Sequence, residues 1–219
     1  MKRLGSIFAV AAVVAIFGSQ ASAQSSGSAN YAGDTTACTD IGGLLGGGTS
    51  VTALKTTLHM SSGNGNTIYV RPSAVTGLLT DLSISGTFQG GTKSGSAQAA
   101  ITFQVTVTPL SNQNKPTVTP SEPVTYDDRF LQISTNLFNA ITGCTVLNPC
   151  FFNLNETTLS AHSFDWVVTG LSAGDYGITV TWTPTTTATA PNTAAACVGP
   201  VILTATQTKL FTQSTGIVF

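Results

Sequence analysis

The chain has 219 residues, of which only 8% are charged, eight Lys and Arg against nine Asp and Glu. So sparse and balanced a charge gives no electrostatic footprint for nucleic acid or for an anionic membrane surface. Threonine supplies 37 positions; a Thr, Ser, Asn and Gln surface is wet without charge, and the β-branch of Thr suits an extended, pleated backbone.

At the N-terminus Lys2 and Arg3 precede the uncharged run Ile7 to Phe17, and Ala21-Ser22-Ala23 follows as a small-x-small triplet. That layout is a secretory signal peptide over residues 1–23, with cleavage after Ala23. An apolar run of about eleven residues is too short to span a bilayer, which takes about 20. No membrane insertion is therefore expected after cleavage. The mature chain keeps six basic and nine acidic residues, a net charge of −3. The expected location is extracellular, periplasmic or on the cell surface.

The four cysteines, Cys38, Cys144, Cys150 and Cys197, all lie in the mature part, and an even number in an exported chain points to disulfides. Cys144 and Cys150 flank Asn148-Pro149 and are expected to close a small local loop. That leaves Cys38 for Cys197, a closure that restricts the unfolded chain by about 4–5 kcal/mol. There is no CxxC, and neither His59 nor His162 stands at finger-like spacing from a cysteine pair. No metal or cofactor is read from the sequence.

Residues 24–50 form a Gly/Ser-rich arm, expected to be flexible and pinned near Cys38. Residues 51–219 form one domain. Leu54, Thr56, Leu58 and Met60 alternate on one face of a strand, and Ser61 to Asn66 is a turn. Ile68 to Arg71 and Leu78 to Ile84 read as two strands, followed by a Gly-rich turn from Gly86 to Gly95. Ala97 to Thr108 is a half-buried strand with Ile101, Phe103, Val105 and Val107 inward. Pro109, Pro116, Pro120 and Pro123 exclude a central strand until Val124.

Phe130 to Ile133 reads as strand and Leu137 to Ile141 as a helical turn. Asn153 or Asn155 is placed as the cap of a short helix running to about Ala161. Phe164, Trp166 and Val168 alternate in a strand that ends at Gly170. After a corner, Tyr176, Ile178, Val180 and Trp182 alternate in another. A loop from Pro184 to Ala196 and two closing strands, Val201 to Thr206 and Lys209 to Phe219, complete the chain. Short alternating strands between turn signals make an all-β, antiparallel sandwich with at most one or two short helices.

The segment from Phe164 to Trp182, FDWVVTGLSAGDYGITVTW, resembles the E–F corner of fibronectin-type-III and other immunoglobulin-like domains. That resemblance implies an immunoglobulin-like sandwich, with Leu171, Gly174 and Tyr176 as its structural corner and the Tyr176 hydroxyl bonded back to backbone near the turn. More loosely, Asp128 to Trp166 resembles exported bacterial proteins of uncharacterised function. Neither resemblance implies an activity.

The candidate chemistry is thin. His162 and Asp165 with a serine would make a hydrolase triad, but three residues apart on a strand they point to opposite faces, and no Gly-x-Ser-x-Gly elbow is present. His59 reads as solvent-facing. Asp127-Asp128-Arg129, Asp34 and Asp40 would suit a cation, yet no calcium-loop spacing occurs, and Asp127-Asp128 reads as a turn. Glu122 and Glu156 are the only glutamates, and nothing makes them a glycosidase pair. Trp166, Tyr176 and Trp182 read as core rather than as a sugar platform. Asn155-Glu156-Thr157 matches the N-glycosylation sequon, which matters only in a host with that machinery.

The expected function is a secreted, non-catalytic binding or structural module of the cell envelope or extracellular space. Its expected partner is a protein, or another copy meeting it at a strand edge. The alternatives are a self-assembling fibre or pilus-like subunit built by strand addition, and a small outer-membrane barrel suggested by the alternation ending at Phe219. An enzyme ranks last.

Overall fold

The structure is a computed structural model that describes residues 27–35, 39–40, 51–62, 66–87 and 94–209. The expected signal peptide, Cys38, the glycine runs at 42–48, most of the 86–95 turn and all but Lys209 of the final strand expected over 209–219 lie outside the described residues. The elements are β1 (Ala29–Asp34), β2 (Thr39–Asp40), β3 (Val51–Met60), β4 (Asn66–Gly86), β5 (Ser94–Pro109), β6 (Thr117–Thr119), β7 (Val124–Ser134), β8 (Cys150–Ser163), β9 (Trp166–Thr169), β10 (Gly174–Ala188) and β11 (Thr193–Lys209). One 3-10 turn, Thr135–Ala140, stands between β7 and β8.

All pairings are antiparallel, and they form two sheets packed face to face. One sheet runs β1-β11-β4-β9-β6, with β2 also on β11 and β8 also on β4; the other runs β3-β10-β5-β7. β1 and β2 lie end to end along β11, and β8 and β9 lie end to end along β4. Taking each such pair as one interrupted strand leaves β1–β2, β11, β4 and β8–β9, with the three-residue β6 added at the edge of β9, over β3, β10, β5 and β7. First strand beside last, and second beside second-to-last, is the jelly-roll order.

The antiparallel sandwich expected from the alternation is therefore what the chain forms. The strand order, however, is not the ABED/CFG order of immunoglobulin domains. Here β11 lies inside a sheet, between β1 and β4. The resemblance is confined to the corner.

Several strands are longer than the sequence suggests, and prolines explain why. Ile68–Arg71 and Leu78–Ile84 belong to one strand, β4, of 21 residues. Pro72 sits inside it and pairs with Leu203, but it falls between Val70↔Trp166 and Ser73↔Ser163, opposite the break at Phe164–Asp165. A ladder tolerates proline where its partner is interrupted. Pro184 likewise does not start a loop. It pairs with Ile101 in β10, two residues past the last β3 pair, Trp182↔Val51. The expected 184–196 loop shrinks to the four residues between Ala188 and Thr193, and β11 replaces the first closing strand.

Two other expectations fail. Asn153 and Asn155 cap no helix; both lie in β8, which runs as strand from Cys150 to Ser163. Part of the expected flexible arm is strand as well, since β1 pairs with β11 from Ala29↔Thr206 to Asp34↔Val201.

The inward rows of both sheets make one core. Trp166, Tyr176, Phe103, Met60, Ile101 and Leu203 are among its fully buried side chains, each contributing roughly 1.5–3 kcal/mol through burial. Its aromatic centre stacks Phe103 on Tyr126 with ring centroids 4.1 Å apart, and Trp166 lies 6.4 Å beyond Tyr126. At the β9–β10 corner Gly174 has φ +133°, open to a residue without Cβ. The Tyr176 hydroxyl accepts from Ser172 N at 3.0 Å and donates to Ser172 O at 3.3 Å. Leu171 packs against the core beside it.

Candidate functional site

Two regions concentrate side chains beyond those the core needs. The first is a polar seam where β7, at the edge of one sheet, faces β8, at the edge of the other. Alternation puts Asp127 and Arg129 on one row of β7 and Glu156, Thr158, Ser160 and His162 on one row of β8. Ser160 Oγ donates to Asp127 Oδ2 at 2.9 Å, and Thr76 Oγ1 on β4 donates to the same oxygen at 3.1 Å. His162 Nε2 is 2.8 Å from Ser160 Oγ and 3.7 Å from Asp127 Oδ2. One turn of the strand away, Arg129 Nη2 donates to Thr158 Oγ1 at 2.7 Å, with Glu156 Oε2 3.7 Å from its Nε.

A serine, a histidine and an aspartate thus meet, though not the histidine–aspartate pair that the sequence offers. Asp165 turns away and forms a bidentate pair with Arg71, both contacts at 2.6 Å. That pair raises the Arg71 pKa and lowers that of Asp165, chiefly through the hydrogen bonds between them. In a catalytic triad the carboxylate holds the histidine nitrogen remote from serine. Here Asp127 binds the serine hydroxyl itself, from the same side as His162 Nε2. The carboxylate competes for the proton the histidine would take, and the contacts join β7 of one sheet to β8 of the other.

Asp127 and Asp128 are in strand β7, not a turn, and alternation sends them to opposite faces: Asp128 accepts from Gln98 Nε2 at 3.0 Å. Two carboxylates so divided cannot share one cation. His59 is exposed and meets Asp175, its cross-strand neighbour, at 2.7 Å. Among the described residues no group of three or more His, Cys, Asp or Glu is placed to hold a metal.

Behind the seam the Tyr126 hydroxyl, buried with its ring, donates to Pro72 O at 2.8 Å. Burial raises its pKa well above the ordinary tyrosine range, and nearby Asp165 raises it further, against a backbone hydrogen bond that lowers it. A folded pKa above the unfolded one adds stability that is complete below about pH 10 and is lost as pH rises further. Alkaline unfolding of the wild type should thus steepen above about pH 10. Tyr126→Phe should be less stable at neutral pH by about 1–3 kcal/mol, because Pro72 O is left unpaired, yet have a flatter alkaline limb. Denaturant melts at stepped pH read both; parallel alkaline limbs would exclude this role for Tyr126.

The second region is one end of the sandwich, opposite the end where the described chain begins beside Gln207 and finishes at Lys209. It comprises the 3-10 turn, the Cys144–Cys150 loop and the β10–β11 turn. From Phe130 to Asn155 there is no Asp, Glu, Lys, Arg or His. Cys144 and Cys150 are joined, with Cα atoms 5.1 Å apart. Cys144 is buried against Ile84 and Phe138.

The bridge carries a tight two-residue turn: Thr145 N donates to Asn148 O at 3.0 Å, and Asn148 N to Thr145 O at 3.1 Å. At its tip are Val146 and Leu147, 86% and 98% exposed. Turn tips favour Gly, Asn, Asp and Pro for backbone reasons, and nothing in this turn requires two branched apolar side chains. Leu137, Ile141 and Phe151 at the same end are exposed too. Beside them lies a cleft of about 410 Å³ lined by Ser83, Ser85, Ser94, Thr135, Phe151 and Asn192 among others.

The remaining site residues fall as follows. Cys197 is disulfide-bonded; Cys38, expected as its partner, lies outside the described residues, and Thr39–Asp40 after it pair with Val198 and Cys197. Trp166, Tyr176 and Trp182 are buried and offer no ligand platform. Reading the residues one by one missed the Ser160–Asp127 contact and the exposed tip. The first had a signal, two alternating polar rows on separate strands; the second had the charge-free run bounded by Arg129 and Glu156. No protein-family model matches the chain, and no curated protein matches it.

Proposed function

We propose that this protein is a secreted, non-catalytic binding module of the cell envelope or extracellular space, recognising a protein partner through the uncharged end around the Cys144–Cys150 loop. The observation that carries the reading is the near-complete exposure of Val146 and Leu147 on a turn closed by its own hydrogen bonds and a disulfide. An apolar pair costs nothing to desolvate, and a turn already fixed loses little entropy on binding. The polar seam supports the non-catalytic part, because its hydroxyl and carboxylate are committed to each other across the sheets.

The test is site-specific photo-crosslinking in the native source. A photoreactive residue at position 147 should give one dominant adduct, and the same residue at position 202, an exposed apolar site on β11, should not. No adduct from 147, or equal labelling from both positions, would overturn the reading.

A further inference from the structure

Every open sheet needs some device that keeps its edge strands from pairing with other chains: short length, a bulge, a proline, or charge. β1, β2 and β6 have 6, 2 and 3 residues. β3 carries a register shift against β10, and its outer carbonyls are taken by side chains: Thr57 O by Asn30 Nδ2 at 2.9 Å and His59 O by the Ser28 hydroxyl. β7 is bulged at Tyr126, between Ile101↔Asp127 and Thr102↔Thr125.

β8 is neither short nor bulged and holds no proline. Its 14 residues pair with β4 in unbroken register from Gly86↔Cys150 to Ser73↔Ser163. It contains no Pro, Gly, Lys or Arg. Its two titratable groups, Glu156 and His162, sit on the row that meets β7 and are engaged there by Arg129, Ser160 and Asp127. The outward row, Phe151, Asn153, Asn155, Thr157, Leu159, Ala161 and Ser163, is exposed and uncharged. Among the described residues no strand occupies the far edge of β8.

We propose that this edge pairs with the β8 of a second copy, antiparallel and about a two-fold axis at Asn155. A two-fold contact sets the axial residue against its own copy, so it disfavours charge at the axis; the outward row has none, and Glu156, beside the axis on the other row, faces Arg129. The register follows from the two large apolar residues left on the row. Antiparallel partners share a face, so odd positions meet odd positions. Centring on Asn155 brings Phe151 of one copy opposite Leu159 of the other, twice, while Asn153 meets Thr157 and Asn155 meets itself. Phe151 and Leu159 are 70% and 71% exposed in the single chain; aromatic–aliphatic cross-strand pairs are stabilising. Pairing joins two seven-stranded sheets into one across the axis. The contact is separate from the Val146–Leu147 tip, so the two proposals stand or fall independently.

Light scattering on the mature protein should give a dimer that dissociates on dilution. Asn155→Lys and Asn155→Asp should each weaken it by about tenfold or more, since like charges are then forced together across the axis. An equimolar mixture of the two variants should restore a heterodimer, which loss of folding would not allow. A monomer at all concentrations would overturn the proposal. So would a dimer indifferent to charge at position 155, or a mixture that stays monomeric.

Discussion

Replacing Trp166 with alanine is expected to destabilise the fold by about 3–5 kcal/mol, a large part of the roughly 5–15 kcal/mol that holds a domain together. Trp166 is fully buried and joins the sheets at the aromatic centre. Phe164 packs edge-on against it at 5.1 Å, Tyr126 lies 6.4 Å away, and Val70 pairs with it across the ladder. Removing the indole leaves a void that backbone ladders on both sides keep from collapsing. Its Nε1–H is buried without a partner, so the residue is held by shape and area rather than by its donor. Trp166→Phe removes that orphan along with part of the volume, and should cost less than about half as much as the alanine. Urea melts with the disulfides intact, followed by circular dichroism, distinguish the two. Equal losses would mean that the indole N–H has a partner in solution and that volume is not what this position supplies.

That centre was legible in the sequence because burial on one face of a strand writes a period of two. Ile101-Phe103-Val105-Val107 and Tyr176-Ile178-Val180-Trp182 alternate without interruption, and all eight side chains are buried. β8 was not legible. As an edge strand it has one solvent face and another turned to a polar seam, so Asn153, Asn155, Glu156, Thr157 and Thr158 carry no apolar stripe, and its asparagines resemble helix caps. β4 and β10 run through Pro72 and Pro184, and the tolerance of a strand for proline depends on what lies beside it in the sheet. The jelly-roll order depends on pairings such as Ala29↔Thr206, for which no local pattern exists. The same holds for the seam. His162 is visible in the sequence, but the carboxylate nearest it is not Asp165, three residues along the chain; Asp127 reaches it from a strand in the opposite sheet. What local reading gave correctly there was the negative result, that Asp165 points elsewhere.

Removing the Cys144–Cys150 bridge by the double change Cys144→Ala/Cys150→Ala should lower global stability by about 2–3 kcal/mol. Closing so short a loop restricts the unfolded chain by about 2 kcal/mol; the small void left by the buried Cys144 sulfur, against Ile84 and Phe138, adds the rest. The local effect should be larger than the global one. The Thr145 and Asn148 amides are held by the hydrogen bonds they exchange, and a two-residue turn with Val and Leu at its tip has little turn propensity of its own. Hydrogen exchange at these two amides should therefore rise to the rate of an open loop. Amides in the β5–β10 ladder should change only by the global amount. If the tip is a recognition element, crosslinking from position 147 should fall in this variant at temperatures where the sandwich is still folded, because the turn must then be ordered at the moment of binding. Exchange that stays slow at Thr145 and Asn148 would show that the turn holds itself, and would move the role of the disulfide from presenting Val146 and Leu147 to anchoring the start of β8.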